Sequence, residues 1–188
     1  MKEELRKLHK EIWECRKCDY ILGLSKIRPR SGFPAEDSYR AMIVGAEPGR
    51  IAEGKPIPEE YKQMFCPGAK NANKARLIFK DIDEAGLDWN QFFFTNSVKC
   101  PATKSQAKRC FANCSQFLER QIRSVKPKVL IVMGTAAKHL QLPQAGKDKI
   151  RQSIFLGIPT FCIRHPQGAR TDYRRRVIDG ILVCLKKG

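Results

Sequence analysis

The stretch Phe92 to Cys114, FFFTNSVKCPATKSQAKRCFANC, places the tightest demands on any fold for this chain. Three consecutive phenylalanines need burial on both faces, which suits a strand inside a sheet covered on both sides. The run ends in Thr95 and Asn96, so the strand turns polar at the edge where open α/β sheets expose their ligand crevice. Cys100 follows in the loop beyond, and Cys110 and Cys114 come one helical turn apart after a basic segment. One stretch therefore sets a polar group able to read a ligand beside thiols able to bind metal.

The rest of the chain alternates helix and strand signals. Residues 3–14 carry Leu5, Leu8, Ile12 and Trp13 at helical spacing and run into Cys15-Arg16-Lys17-Cys18. Residues 23–40 read as a surface loop, and 41–44 as the first strand. Gly45-Ala46-Glu47-Pro48-Gly49 then forces a sharp turn that presents Glu47 at the strand's carboxyl end. Residues 50–72 look irregular and hold Tyr61 and Phe65. A helix over 73–85 is closed by Gly86. After the strand at 92–96 come a helix over 105–125, a strand over 128–133, and a turn at Gly134 into a short helix through Leu140. Residues 141–153 read as a loop. The last strand, 158–163, ends in Arg164-His165-Pro166-Gln167-Gly168, and a final helix covers 172–185. This order predicts an α/β chain whose four strands form a mostly parallel sheet.

Lysine and arginine (36) outnumber aspartate and glutamate (19), leaving a formal charge of +17. The cations recur in segments expected to be loops and helix ends: 26–30, 99–109, 147–151 and 164–176. Charges on several connections of one sheet can converge on one face, which favours a nucleic acid partner. Arg174, Arg175 and Arg176 open the final helix, where positive charge opposes the helix dipole and invites an external polyanion. No apolar segment is long enough to span a bilayer, and the N-terminus lacks a signal peptide's apolar core. A soluble intracellular protein without a membrane partner is expected. Eight cysteines in such a chain point to metal or redox chemistry. Cys162 and Cys184, in apolar runs, read as buried filler. Cys15 and Cys18 with Cys100 and either Cys110 or Cys114 give four thiolates, enough for an iron–sulfur cluster or one zinc ion.

Glu47, Asn96 and His165 each follow a separate predicted strand. Singly, each has an ordinary reading: a solvated turn acid, a turn amide, a packed loop histidine. Jointly, at equivalent ends of parallel strands, they describe a site. The carboxylate can orient water, the amide can read a base edge, and the imidazole can donate to developing negative charge.

VGAEPG at 44–49, TNSVKC at 95–100, CSQFLERQI at 114–122, KPKVLIVMG at 126–134 and His165-Pro166 together resemble the uracil-DNA glycosylase superfamily. The iron–sulfur branch, families 4 and 5, is most similar. The resemblance implies a single domain over 1–188, a three-layer α/β/α sandwich. It implies a [4Fe–4S] cluster on Cys15, Cys18, Cys100 and Cys114, iron instead of zinc. It also implies that Asn96 pairs with a flipped uracil and that His165 stabilises the departing uracil anion. Phe65 would stack on the base. Gly45 and Ala46 would line the base site, and Glu47 would orient water or steady the sugar cation. Gln167 and Arg170 fall in the loop that would wedge into DNA, and Lys99 would contact phosphate. The chain departs from the family 4 pattern in two places: the acid of the first motif is displaced by one position, and Gln167 replaces the usual serine. A basic histidine-bearing insertion is missing at 147–153, so no permanent protein–DNA adduct is expected.

The expectation is a monomeric, cytoplasmic, nucleoid-associated DNA repair enzyme that hydrolyses the N-glycosidic bond of uracil in single- or double-stranded DNA. The alternatives are the same fold acting on hypoxanthine, xanthine or a mismatched base, a catalytically silent iron–sulfur DNA-binding module, and a zinc-stabilised RNA-binding protein.

Overall fold

The computed structural model describes residues 2–19, 39–48, 73–165 and 169–186. Helix α1 (Lys2–Glu14) precedes strand β1 (Ala41–Gly45), and helix α2 (Asn73–Glu84) with a 3-10 turn (Trp89–Gln91) leads to β2 (Phe92–Asn96). The long helix α3 (Lys104–Val125), β3 (Val129–Met133) and the short α4 (Ala136–His139) come next, then β4 (Arg151–Phe155), β5 (Ile158–Ile163) and α5 (Thr171–Lys186).

The strands form one sheet in the order β2-β1-β3-β5-β4. The first four are mutually parallel, and β4 is antiparallel to β5 at the edge. All four expected strands are present. The expected count of four is corrected to five, because part of the expected loop at 141–153 is β4. That strand was hidden because it lies at an edge and most of its residues are exposed or half-buried, so it carries no apolar run. It joins β5 through Leu156 (φ 50) and Gly157 (φ 78), a two-residue turn with both central residues left-handed.

Every residue of β1, β2 and β3 is buried, as parallel strands covered on both faces require. Alternate side chains divide between two cores. Ile43, Phe92, Phe94, Ile131 and Ile163 meet α2 and α5, whereas Met42, Val44, Phe93, Leu130 and Val132 meet α1 and α3. Helices thus flank both faces. Helix α3 starts at Thr103, whose side chain and that of Gln106 cap each other's backbone amides. It stops at Lys126 in the left-handed region, just before Pro127. Arg120 makes a bidentate ion pair with Glu11, tying α3 to α1. Among the described residues no helix is long and apolar enough to cross a membrane.

Two stability predictions follow from strain and burial. An exposed leucine in left-handed backbone costs about 1–2 kcal/mol, and asparagine tolerates it better. Leu156→Asn should therefore raise the unfolding free energy by about 0.5–1 kcal/mol, read from denaturant midpoints. His9 stacks on Phe93 with centroids 6.1 Å apart, and its Nε2 is buried without a hydrogen-bond partner among the described residues. Burial first, then the charge of Lys99, holds its pKa down to about 4. The unfolded chain has an ordinary histidine pKa of about 6.5 and binds a proton the folded chain resists. Stability from neutral His9 is complete above pH 6.5 and is lost as pH falls towards 4. Unfolding curves across that window should slope downward in the parent and be flatter in His9→Leu.

Candidate active site

The carboxyl ends of β2, β1, β3 and β5 lie side by side along one edge of the sheet. Gly45 and Asn96 are register partners in the last rung of β1 and β2. The pairing continues one step further, with Ser97 N donating to Gly45 O at 2.8 Å and Val98 N to Ala46 O at 2.8 Å. Ser97 Oγ also donates to Ala46 O, at 2.9 Å. Because that bond uses the hydroxyl proton, the 2.8 Å contact between Ser97 Oγ and His139 Nδ1 puts the imidazole proton on Nδ1. His139 stacks on Phe111 at 5.4 Å, and burial lowers its pKa. The backbone just before Glu47 is therefore fastened from the β2 side and braced through Ser97 by α4.

His165 leaves β5 beside the turn after β3. Gly134, at φ +57, packs there, and a Cβ built on it would stand 3.6 Å from His165 Cβ. Gly134 N donates to Ile163 O at 2.8 Å, and Arg164 N donates to the Tyr173 hydroxyl of α5 at 2.9 Å. Glu47 is half-buried, Asn96 is buried and His165 is exposed, and each has partners within the protein. With neighbouring strands about 4.8 Å apart, the ends of β2 and β5 stand roughly 14 Å apart. Glu47 and Asn96 leave adjacent strands, while β3 separates Glu47 from His165. A small apolar cavity of about 30 Å³ under α5 and one of about 180 Å³ beside Phe111 and His139 are lined by none of the three. Phe65 and Gln167 lie outside the described residues.

Arg170 is exposed and pairs with Asp172 at 3.2 Å. Of the arginines opening α5, Arg174 is turned inward, bonded to Asp81 at 2.7 Å and to Ala169 O at 3.2 Å, so its charge is answered within the protein. Arg175 is exposed.

Lys99 requires a correction. Expected on phosphate, it is 1% exposed, and its ammonium is enclosed by Thr95 Oγ1 (2.8 Å), Asn96 O (2.6 Å) and Gln121 Oε1 (2.6 Å). Burial pulls its pKa down to about 7, with the Cys114 sulfur acting in the opposite direction. Thr95 Oγ1 in turn donates to Gln121 Oε1 at 2.9 Å. Sequence reasoning missed Thr95, Gln121, Ser97 and His139. Gln121 left a trace, since it interrupts the apolar stripe of Phe117, Leu118, Ile122 and Val125 on α3.

Next to this polar knot lies a nest of thiols. Cys18, Cys100, Cys110 and Cys114 are buried together with Val98, Ala102 and Ala107. Cys15 is half-buried just beyond α1; burial above all raises the Cys100 pKa, and the charges of Cys18, Cys110 and Cys15 add to it. All five are free of disulfides. Hydrogen bonding from Cys114 above all, then from Asn113, Cys110 and Cys100, lowers the Cys18 pKa to about 6. Cys114 is raised by its bond to Cys18 and by burial. Burial, then the charge of Cys18, pushes Cys110 up to about 12. Lys99 N and Asn113 Nδ2 each point a donor at sulfur, at 3.5 Å from Cys114 and Cys18. Among the described residues no group of three or more His, Cys, Asp or Glu is gathered tightly enough for a single metal ion.

The family model for the uracil DNA glycosylase superfamily matches residues 32–181, most of the chain and all five strands. The chain belongs to the uracil DNA glycosylase superfamily. Among curated relatives of this superfamily member, a type-4 uracil-DNA glycosylase of Sulfurisphaera tokodaii is 30% identical over 136 residues, covering 70% of this chain and 55% of that protein. One of Saccharolobus solfataricus is 32% identical over 130 residues, covering 66% and 52%. A type-5 uracil-DNA glycosylase of Pyrobaculum aerophilum is 23% identical over 164 residues, covering 79% and 70%. The chain spans little more than half the length of these two type-4 relatives.

Proposed function

We propose that this superfamily member is a monofunctional DNA glycosylase, acting as a single-domain monomer in the cytoplasm, that hydrolyses the N-glycosidic bond of uracil in DNA. The observation that carries the reading is the common edge of β2, β1 and β5, where Asn96, Glu47 and His165 emerge. The relatives' printed names point the same way. Exposed cations such as Arg175 hold DNA phosphates, and the target nucleotide swings out of the stack at a cost of about a few kcal/mol. Asn96 pairs with the uracil edge, Phe65 stacks on its face, and Gly45 and Ala46 line the site. As the bond to the sugar breaks, negative charge collects on the base and positive charge on the sugar. His165 donates to the first, and Glu47 steadies the second or orients the attacking water. Gln167 and Arg170 fill the space the nucleotide leaves.

The donor set of the nest is thiol-rich and soft, which suits iron–sulfur chemistry. A cluster of four irons is coordinated at several points, so its ligands stand around a volume, unlike those of a single ion. Cys15, Cys18, Cys100 and Cys114, the set the family resemblance implies, would hold a [4Fe–4S] cluster. Its contribution would be to brace α1, the β2 end and α3 against one another, since hydrolysis transfers no electrons. The displaced acid at Glu47 favours one second reading, the excision of a different deaminated base such as hypoxanthine or xanthine.

A panel of single- and double-stranded oligonucleotides with one lesion each tests the activity. Uracil should be released, more slowly as salt rises, and release confined to another base would replace the substrate. Asn96→Ala and His165→Ala should each slow release by about a hundredfold or more while leaving the fold unchanged. Near-parent rates in both would remove the assignment. For the thiols, Cys114→Ser should lose most of its iron and its visible absorbance, whereas Cys110→Ser should keep both. Zinc in place of iron on elemental analysis would overturn the cofactor.

A further inference from the structure

Lys99 is a lysine that no role above uses, and its surroundings are unusually complete. An ammonium has three protons, and three acceptors stand at 2.6, 2.6 and 2.8 Å from Nζ. Thr95 gives its own proton to Gln121 Oε1, so the lone pairs of its hydroxyl are the part that faces the ammonium. With 1% exposure, this charge is spent inside the protein and has none left for DNA.

One of the three acceptors is the carbonyl of Asn96. In a planar trans peptide, that carbonyl and the N–H of Ser97 point in opposite directions. The N–H is held by Gly45 O at 2.8 Å, so the Asn96–Ser97 peptide is gripped from both sides. With Asn96 itself held in the β2 ladder, fixing that plane fixes ψ of Asn96, and with it the direction in which the Asn96 side chain leaves the strand. Lys99 is itself held in place, since its backbone N donates to Cys114 Sγ and Gln121 lies on α3.

We propose that Lys99 is a positioning residue that clamps the Asn96–Ser97 peptide and so aims the Asn96 amide at the base. This rests on the role given to Asn96 above, and the clamp can be measured apart from that role.

The clamp is read by hydrogen exchange at the Ser97 amide. In Lys99→Met, which keeps an unbranched apolar stem, Ser97 should exchange at least about tenfold faster while amides in the middle of β1 and β3 keep their rates. Should Lys99→Met fail to fold, Lys99→Met/Gln121→Leu, which also removes the buried Gln121 Nε2 that has no partner among the described residues, is measured instead. Unchanged exchange at Ser97 overturns the clamp.

Aim is read by single-turnover uracil release. Lys99→Met should be slower by about tenfold or more at saturating DNA with little change in DNA affinity. Lys99→Met/Asn96→Ala should be no slower than Asn96→Ala alone, within about threefold, because both changes act through one side chain. Losses that multiply, or a Lys99→Met rate within about threefold of the parent, would reduce Lys99 to a structural role. Full activity in Asn96→Ala overturns instead the role given to Asn96, and with it the part of Lys99 in the reaction, whatever the exchange data show.

Discussion

A strand with parallel neighbours on both sides and helices on both faces has no solvent-facing side. Ala41–Gly45 is such a strand, held between Phe92–Asn96 and Val129–Met133 with all five of its residues buried. Its backbone groups are satisfied along its length by the two ladders, and the arrangement has to end somewhere. It ends by continuing the ladder with β2 through Ser97 and Val98, then releasing the chain at Glu47. Because the register pairs Gly45 with Asn96, the place where β1 escapes its neighbours is also where the buried amide of Asn96 stands. The site is a consequence of how a fully enclosed parallel strand terminates.

The thiol nest belongs to the same construction. Three segments distant in sequence reach it: the turn after α1 with Cys18, the loop after β2 with Cys100, and the first half of α3 with Cys110 and Cys114. The pair of Glu11 and Arg120 holds α1 along α3, and Leu5, Leu8 and Ile12 meet Phe117, Leu118 and Ile122 in one core. Packing of the two helices therefore brings the cysteines together without help from disulfides. Thiols crowded in this way shift one another's protonation in opposite directions, Cys18 downward and Cys114 upward. Cys18 is helped toward the thiolate, while burial holds Cys100 and Cys110 protonated, and the bond to Cys18 followed by burial does the same for Cys114.

How far the sequence discloses this depends on whether a residue's neighbours are near it in the chain. Ala-Met-Ile-Val, Phe-Phe-Phe and Val-Leu-Ile-Val-Met are buried on both faces, so their apolar runs are visible without knowing the partners. The strand ends are legible for the same reason, because the polar residue after each run marks the sheet's edge. Arg151–Phe155 gives no such run: Ile154 is 71% exposed, and the turn after it uses Leu-Gly where Asn-Gly would have announced a hairpin. Lys99, expected on phosphate as part of the basic segment 99–109, is buried instead. What reverses the expectation is Gln121, which comes from α3 and closes a shell of acceptors that only the packing of α3 on β2 supplies. His139 is invisible for the same reason, because its partner Ser97 belongs to another strand end.

An enclosed ammonium is costly by several kcal/mol unless its surroundings replace the water it has lost. Here replacement comes as a matched set of three acceptors, and the set is interdependent. A methyl-ended side chain at position 99 would escape desolvation yet leave the Asn96 carbonyl and Gln121 Oε1 without their shared donor. A leucine at 121 would leave the ammonium one acceptor short. Thr95 is bound to both, accepting from one and donating to the other. Substituting one member therefore exposes the others, which ties together three positions around the end of β2. Stability alone gives no reason to place such a set there, since a hydrophobic plug of similar volume would serve at lower cost. The geometry does supply a different reason: the bond from Nζ to Asn96 O sets a peptide plane at the rim of the sheet, while the backbone N–H of Lys99 faces the sulfur of Cys114. Of the residues between Asn96 and Cys100, Lys99 alone is bonded in this way toward both the strand end and the thiols, so any force exchanged between them has its shortest path through it.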